Sequence, residues 1–171
     1  MENVILIGFM GAGKTTVGKL LAKELQMSFL DTDERIEVEQ GRSIPEIFAT
    51  DGEQCFRDLE TELLKKMQED TKNSVISVGG GLPVREENRE LLRKLGTVIY
   101  LSASKETILS RVKNDGTRPM LNSDDLEARV EKLMHDRERL YKAAAHLDIR
   151  TDERSVARVL QIIRQELFKA Q

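Results

Sequence analysis

The residues Gly8-Phe9-Met10-Gly11-Ala12-Gly13-Lys14-Thr15 follow the spacing G-x-x-x-x-G-K-[ST]. Glycines so spaced let backbone N–H groups turn inward around phosphate oxygens. A helix that starts there adds the partial positive charge of its N-terminus. Lys14 then reaches the β- and γ-phosphates of a nucleoside triphosphate, and the Thr15 hydroxyl is placed to ligate Mg²⁺. The chemistry needs a strand before the loop and a helix after it. Asn3–Gly8 is a continuous apolar run ending in glycine, and Lys14–Gln26 carries Val17, Leu20, Leu21 and Leu25 at helical spacing. A glycine-rich turn with an incidental lysine is the alternative, and both flanks speak against it.

A nucleotide site of this type needs a second group for Mg²⁺, normally an aspartate at the end of another strand. The runs Val75–Val78 and Thr97–Leu101 end without an acid; Ser28–Asp31 runs into Asp31-Thr32-Asp33. By elimination the acidic chemistry is expected there. In an extended D-x-D segment alternate side chains share a face, so Asp31 and Asp33 are both expected to face the site. One serves the metal; the other orients or deprotonates an acceptor hydroxyl. The competing reading is an ordinary helix N-cap at Thr32 or Asp33.

Two arginines sit where arginine is unusual. Arg137 lies on the apolar stripe Leu126, Val130, Leu133, Leu140 of a helix from Asp124 to Tyr141, and an arginine facing inward needs an anion. Arg57 shares a helical face with Glu60, which either fixes its guanidinium for a ligand carboxylate or makes a plain surface ion pair. Gly79-Gly80-Gly81 between a strand and a helix allow close backbone approach and free N–H groups. Arg118, in the turn-rich segment Asn114–Asn122, is a solvated loop residue or the tip of a lid over the transferring phosphate. His135, His146 and Cys55 show no metal-ligand spacing and read as structural.

The elements that must position these residues alternate along the chain. Strands are expected at Asn3–Gly8, Ser28–Asp31, Val75–Val78, Thr97–Leu101 and His146–Arg150. Helices are expected at Lys14–Gln26, Thr32–Gln40, Ser43 to about Gln68 with a break near Asp51-Gly52, Arg85–Leu95, Lys105–Lys113, Asp124–Tyr141 and Glu153–Phe168. That alternation implies an α/β fold with a parallel sheet. Ligands of such sheets bind beyond the carboxyl ends of the strands, where the reactive residues lie.

Composition sets the frame. The 171 residues suit a single domain, 1–171; they are 39% hydrophobic and 33% charged, with a net charge of −3. Nothing there favours nucleic acid, no apolar stretch is long enough to span a bilayer, and the single cysteine excludes an intrachain disulfide. A cytoplasmic enzyme with a small-molecule substrate is expected.

Taken together, GFMGAGKTT, FLDTDERIE, GRSIPEIFATDGEQCFRDLE, VISVGGGLPV, YLSAS, TRPML and RERLYKAAA resemble the shikimate kinase family in order and along nearly the whole chain. The resemblance implies a five-stranded parallel sheet of order 2-3-1-4-5, related to the nucleoside monophosphate kinases. It implies ATP-dependent, Mg²⁺-dependent phosphorylation of the shikimate 3-hydroxyl by a monomer. It assigns Gly11, Ala12, Gly13, Lys14, Thr15, Thr16, Arg118 and Arg154 to ATP, and Thr15 and Asp31 to Mg²⁺. Asp33, Arg57, Gly79, Gly80, Gly81 and Arg137 go to shikimate, with Lys14, Asp33 and Arg118 catalytic. A gluconate or nucleoside monophosphate kinase, and a nucleotide-binding switch without turnover, are the competing readings.

Overall fold

The structure is a computed structural model that describes residues 2–113 and 123–169. Five parallel strands form one sheet in the order β2-β3-β1-β4-β5. They are β1 Asn3–Ile7, β2 Ser28–Asp31, β3 Ser74–Ser77, β4 Gly96–Ser102 and β5 Leu147–Arg150. All five residues of β1 are buried. A strand covered on both faces loses the polar alternation of a half-exposed one, hence the unbroken run NVILI.

The helices are α1 Lys14–Leu25, α2 Thr32–Gln40, α3 Ile44–Asp51, α4 Glu53–Asp70, α5 Glu86–Leu95, α6 Lys105–Lys113, α7 Ser123–Ala144 and α8 Val156–Lys169. Helix α1 packs on α8, and α5 packs on α7, giving two layers around a core that includes Ile5, Leu6, Leu64, Ile76 and Ile99. The expected break at Asp51-Gly52 is present: Gly52, at φ +86°, ends α3 and begins α4. The last helix begins at Val156, later than the periodicity suggests, because the preceding residues form a turn beside the phosphate loop. No helix among the described residues is long and apolar enough to cross a membrane.

The sheet order makes β1 and β3 neighbours, with Leu6 opposite Ser77, and β2 and β3 neighbours, with Asp31 opposite Ser77. The phosphate loop after β1, the Asp31–Asp33 segment after β2 and the three glycines after β3 therefore emerge side by side at one end of the sheet.

Candidate active site

The loop between β1 and α1 turns on Gly11 and Gly13, at φ +78° and +92°, a left-handed backbone that only glycine adopts cheaply. Gly13 is the N-cap of α1 and brings no capping side chain. The N-terminal N–H groups of α1 are thus left for a ligand anion. Lys14 folds back over the loop, donating to the Gly8 carbonyl at 2.7 Å and the Phe9 carbonyl at 3.1 Å. Arg111, from α6, donates to the Gly11 carbonyl at 2.8 Å and braces the loop from outside; nothing in its spacing marks that role. Ala12, Gly13 and Thr16 also line a cavity of about 250 Å³ with Arg111, Thr151 and Arg154. Arg154 is therefore beside the phosphate loop, its guanidinium bonded to the Arg150 carbonyl at 2.9 Å.

The Asp31-Thr32-Asp33 segment is not an extended strand. Strand β2 ends at Asp31 and α2 starts at Thr32; Asp31 itself is the N-cap, its Oδ1 accepting from the backbone N–H of Asp33 at 2.9 Å and of Glu34 at 3.1 Å. The cap falls on Asp31, not on Thr32 or Asp33, because an N-cap keeps β-region dihedrals and so continues the strand. The two aspartates are brought together by that strand-to-helix corner rather than by alternation. Burial, with the Asp31 carboxylate beside it, pushes the Asp33 carboxyl above its ordinary range, against the opposing pull of Lys14 and Arg57. Thr32, buried, accepts from the Gly79 N–H at 3.1 Å and ties this corner to the glycines. One of the glycine N–H groups expected to be free is thus taken.

The glycines leave room for side chains. A Cβ on Gly79 would stand 2.7 Å from Asp33 Oδ1 and 3.3 Å from Glu60 Oε2; one on Gly81 would stand 2.5 Å from Arg57 Nη2. Arg57 and Glu60 pair across one turn of α4 at 2.7 Å. This is no surface ion pair: the side chains are 19% and 1% exposed. Glu60 Oε2 has no hydrogen-bond partner among the described residues, and burial, opposed by Arg57, pushes the Glu60 carboxyl up to about 7.

Arg137 closes the cleft from α7. Its guanidinium lies 5.9 Å from the Phe9 ring centre, and a Cβ on Gly80 would stand 3.5 Å from its Nη1. The buried face of α7 runs on through Tyr141 and Ala144, beyond the expected stripe. Tyr141, four residues on from Arg137, donates to the Gly80 carbonyl at 2.6 Å. Its hydroxyl was not marked by spacing, because an aromatic on an apolar stripe reads as core. Lys14, Asp33, Arg57, Gly79–Gly81 and Arg137 therefore line one cleft at the carboxyl ends of β1, β2 and β3. Arg118 and the segment Asn114–Asn122 lie outside the described residues.

The family profile described as shikimate kinase matches residues 10–168. The chain belongs to the shikimate kinase family. A shikimate kinase of Bacillus anthracis is 41% identical over 167 residues, covering 98% of this chain and 99% of the relative. One from Burkholderia thailandensis is 41% identical over 168 residues, covering 98% and 91%. Among solved structures, the shikimate kinase of Acinetobacter baumannii in complex with shikimate superposes with a TM-score of 0.91 at 38% identity, covering 100% of this chain and 95% of that one. The shikimate kinase of Aquifex aeolicus gives 0.83 at 37%, covering 96% and 95%. A deoxyadenosine kinase of M. mycoides, 19% identical with a TM-score of 0.60, shares the fold. The observed sheet order is the one that the shikimate kinase resemblance implies.

Proposed function

We propose that this site, in one kinase domain spanning residues 1–171, moves the γ-phosphoryl group of ATP onto the 3-hydroxyl of shikimate, giving shikimate 3-phosphate and ADP. The observation that carries the reading is the cleft in which Arg57 stands against Gly81, Arg137 against Gly80 and Asp33 against Gly79, with Asp33 within the fields of Lys14 and Arg57. Two guanidinium groups suit one carboxylate, and a carboxylate with a raised pKa suits an acceptor hydroxyl.

The phosphate loop, Gly11–Thr16, cradles the nucleotide phosphates, and Lys14 leaves the Gly8 and Phe9 carbonyls to meet them. Arg154, beside the loop, is assigned to the nucleotide. Arg57 and Arg137 hold the acceptor carboxylate, and Gly79–Gly81 let the ring approach the backbone. Asp33 accepts the hydrogen bond of the attacking hydroxyl and takes its proton as the oxygen–phosphorus bond forms. Arg118 is assigned to the transferring phosphate from the sequence alone.

Mg²⁺ fits the residues present. Both capping bonds fall on Asp31 Oδ1, so Oδ2 remains to face a cation, directly or through water. No cluster of three acidic, histidine or cysteine ligands exists among the described residues. The Thr15 hydroxyl, Asp31, water and phosphate oxygens would complete the shell, as Mg²⁺ prefers. Such an ion would neutralise negative charge on the nucleotide phosphates. A cytoplasmic monomer acting on a small molecule, with no nucleic-acid or membrane partner, accords with the balanced charge.

Product analysis tests the reading. ¹H–³¹P correlation of the mixture after incubation with ATP, Mg²⁺ and shikimate should show phosphorus coupled to the ring proton at carbon 3. Coupling at another position, or inorganic phosphate alone, would refute it.

A further inference from the structure

Helix α7 carries Arg137 and Tyr141 four residues apart, so the two side chains stand on one face of the helix. That face meets the three glycines after β3, and α7 packs on the short helical turn Leu82–Val84 that follows them. A Cβ built on Gly80 would meet both residues at once, Arg137 Nη1 at 3.5 Å and the Tyr141 hydroxyl at 3.7 Å.

Tyr141 is 1% exposed, and its ring lies 5.2 Å from the Tyr100 ring between centroids. Packing alone asks for a ring there, which phenylalanine would supply. The hydroxyl has a different use. It donates to the Gly80 carbonyl at 2.6 Å, and its oxygen accepts from the Arg137 guanidinium. Burial pushes the phenol above its ordinary range, against the charge and the hydrogen bond of Arg137 and the charge of Arg57. The group therefore stays a protonated hydroxyl, donor and acceptor at once.

No peptide bond among the described residues is cis. In a trans peptide the N–H points opposite to the preceding carbonyl. Holding the Gly80 carbonyl toward α7 thus turns the Gly81 N–H away from α7. Glycine gives that peptide plane no side chain to fix it and the freest backbone to rotate it. Neither the Gly80 nor the Gly81 N–H has a hydrogen-bond partner among the described residues. The Gly79 N–H is taken by Thr32, and the Leu82 carbonyl by Asn88 at 2.9 Å. Among these bonds, that from Tyr141 alone also reaches an arginine of the cleft.

We propose, on the assignment of Arg137 to the acceptor carboxylate, that the Tyr141 hydroxyl is a positioning group. It fixes the Arg137 guanidinium and the Gly80–Gly81 peptide as one preformed frame for the acceptor. A preformed frame spares the ordering of a long arginine side chain at the moment of binding. Removing the hydroxyl frees both parts, so the loss falls on acceptor binding in the ground state and the transition state alike.

Tyr141→Phe keeps the ring and removes the hydroxyl. With ATP and Mg²⁺, the shikimate KM should rise at least about 5-fold, the scale of one lost hydrogen bond, with kcat and the ATP KM near wild type. Tyr100→Phe, which removes a neighbouring hydroxyl that makes no bond to Gly80, should leave the shikimate KM near wild type. In kcat/KM for shikimate, Tyr141→Phe combined with Arg137→Ala should lose less than the product of the two single losses. An unchanged shikimate KM, an equal rise in the ATP KM, the same rise in Tyr100→Phe, or a multiplicative double variant would overturn the proposal. Failure of the wild type to phosphorylate shikimate would refute the acceptor reading instead. Solvent exchange of the Arg137 guanidinium N–H signals, followed by ¹H–¹⁵N NMR without any acceptor, then decides the positioning role. Exchange should quicken at least about 5-fold in Tyr141→Phe, and an unchanged rate would overturn it.

Discussion

Glu60 holds Arg57 across a single helical turn, its Oε1 2.7 Å from Arg57 Nη1, while its Oε2 is buried without a hydrogen-bond partner among the described residues. The arginine that faces the cleft is thus aimed by an acid poised to titrate near neutral pH.

The poise has a consequence for binding. A carboxylate arriving at Arg57 adds negative charge near Glu60 and raises its pKa above about 7. Shikimate binding at pH 7.5 should therefore take up protons. Calorimetry in phosphate and in Tris should give different apparent enthalpies, and Glu60→Gln should remove most of the difference. Buffer-independent enthalpies in the wild type would contradict it.

It also has a consequence for stability. The carboxyl titrates at about 7 in the folded chain, against 4.5 for a solvated glutamate. Its contribution is fully present below pH 4.5 and is lost as pH rises through about 7. Relative to wild type, Glu60→Gln should gain stability between pH 5 and 8, by no more than about 3 kcal/mol. Denaturant melts at the two pH values check the direction; a constant difference would show that Glu60 is already ionised at pH 5.

Asp31 should separate into two roles. Asparagine caps a helix about as well as aspartate, so Asp31→Asn should melt like wild type yet need several-fold more Mg²⁺ for half-maximal rate. Asp31→Ala should also lose about 1 kcal/mol of stability. By contrast, Asp33→Asn should lower kcat by roughly 10²–10⁴-fold with ATP affinity little changed. A loss confined to ATP affinity would exchange the two assignments.

Gly81→Ala puts a methyl against the Arg57 guanidinium. The far end of a flexible side chain yields, so the fold should survive. The acceptor KM should rise at least about 10-fold, the scale of one displaced charge-assisted contact, while the ATP KM stays near wild type. Unchanged acceptor KM would show that Arg57 does not touch the acceptor.

The strands and most helices were legible because apolar runs and helical spacing are bounded by glycine and acid, as at Ser28–Asp31 and Thr32–Gln40. The phosphate loop was legible for the same reason, since its chemistry is local. The boundary between Asp31 and Thr32 was legible too, but the capping side chain was not, because all three residues of Asp-Thr-Asp can cap a helix and nothing in the run says which one does. Nor were the bonds from Gly79 to Thr32, from Tyr141 to Gly80 and from Arg111 to Gly11. Each joins segments far apart in sequence through a residue whose type suits the core or the surface equally well.

The specificity of the cleft is tested most directly by kcat/KM for a panel of acceptors with ATP and Mg²⁺, measured as ADP release. Shikimate should exceed gluconate and the nucleoside monophosphates by at least about 10⁴-fold, because a site built from buried polar and charged groups rejects ligands that leave them unpaired. Arg137→Ala should cut the shikimate value most and the others little. A second acceptor equal to shikimate, or tight ATP binding with no turnover on any acceptor, would contradict the account.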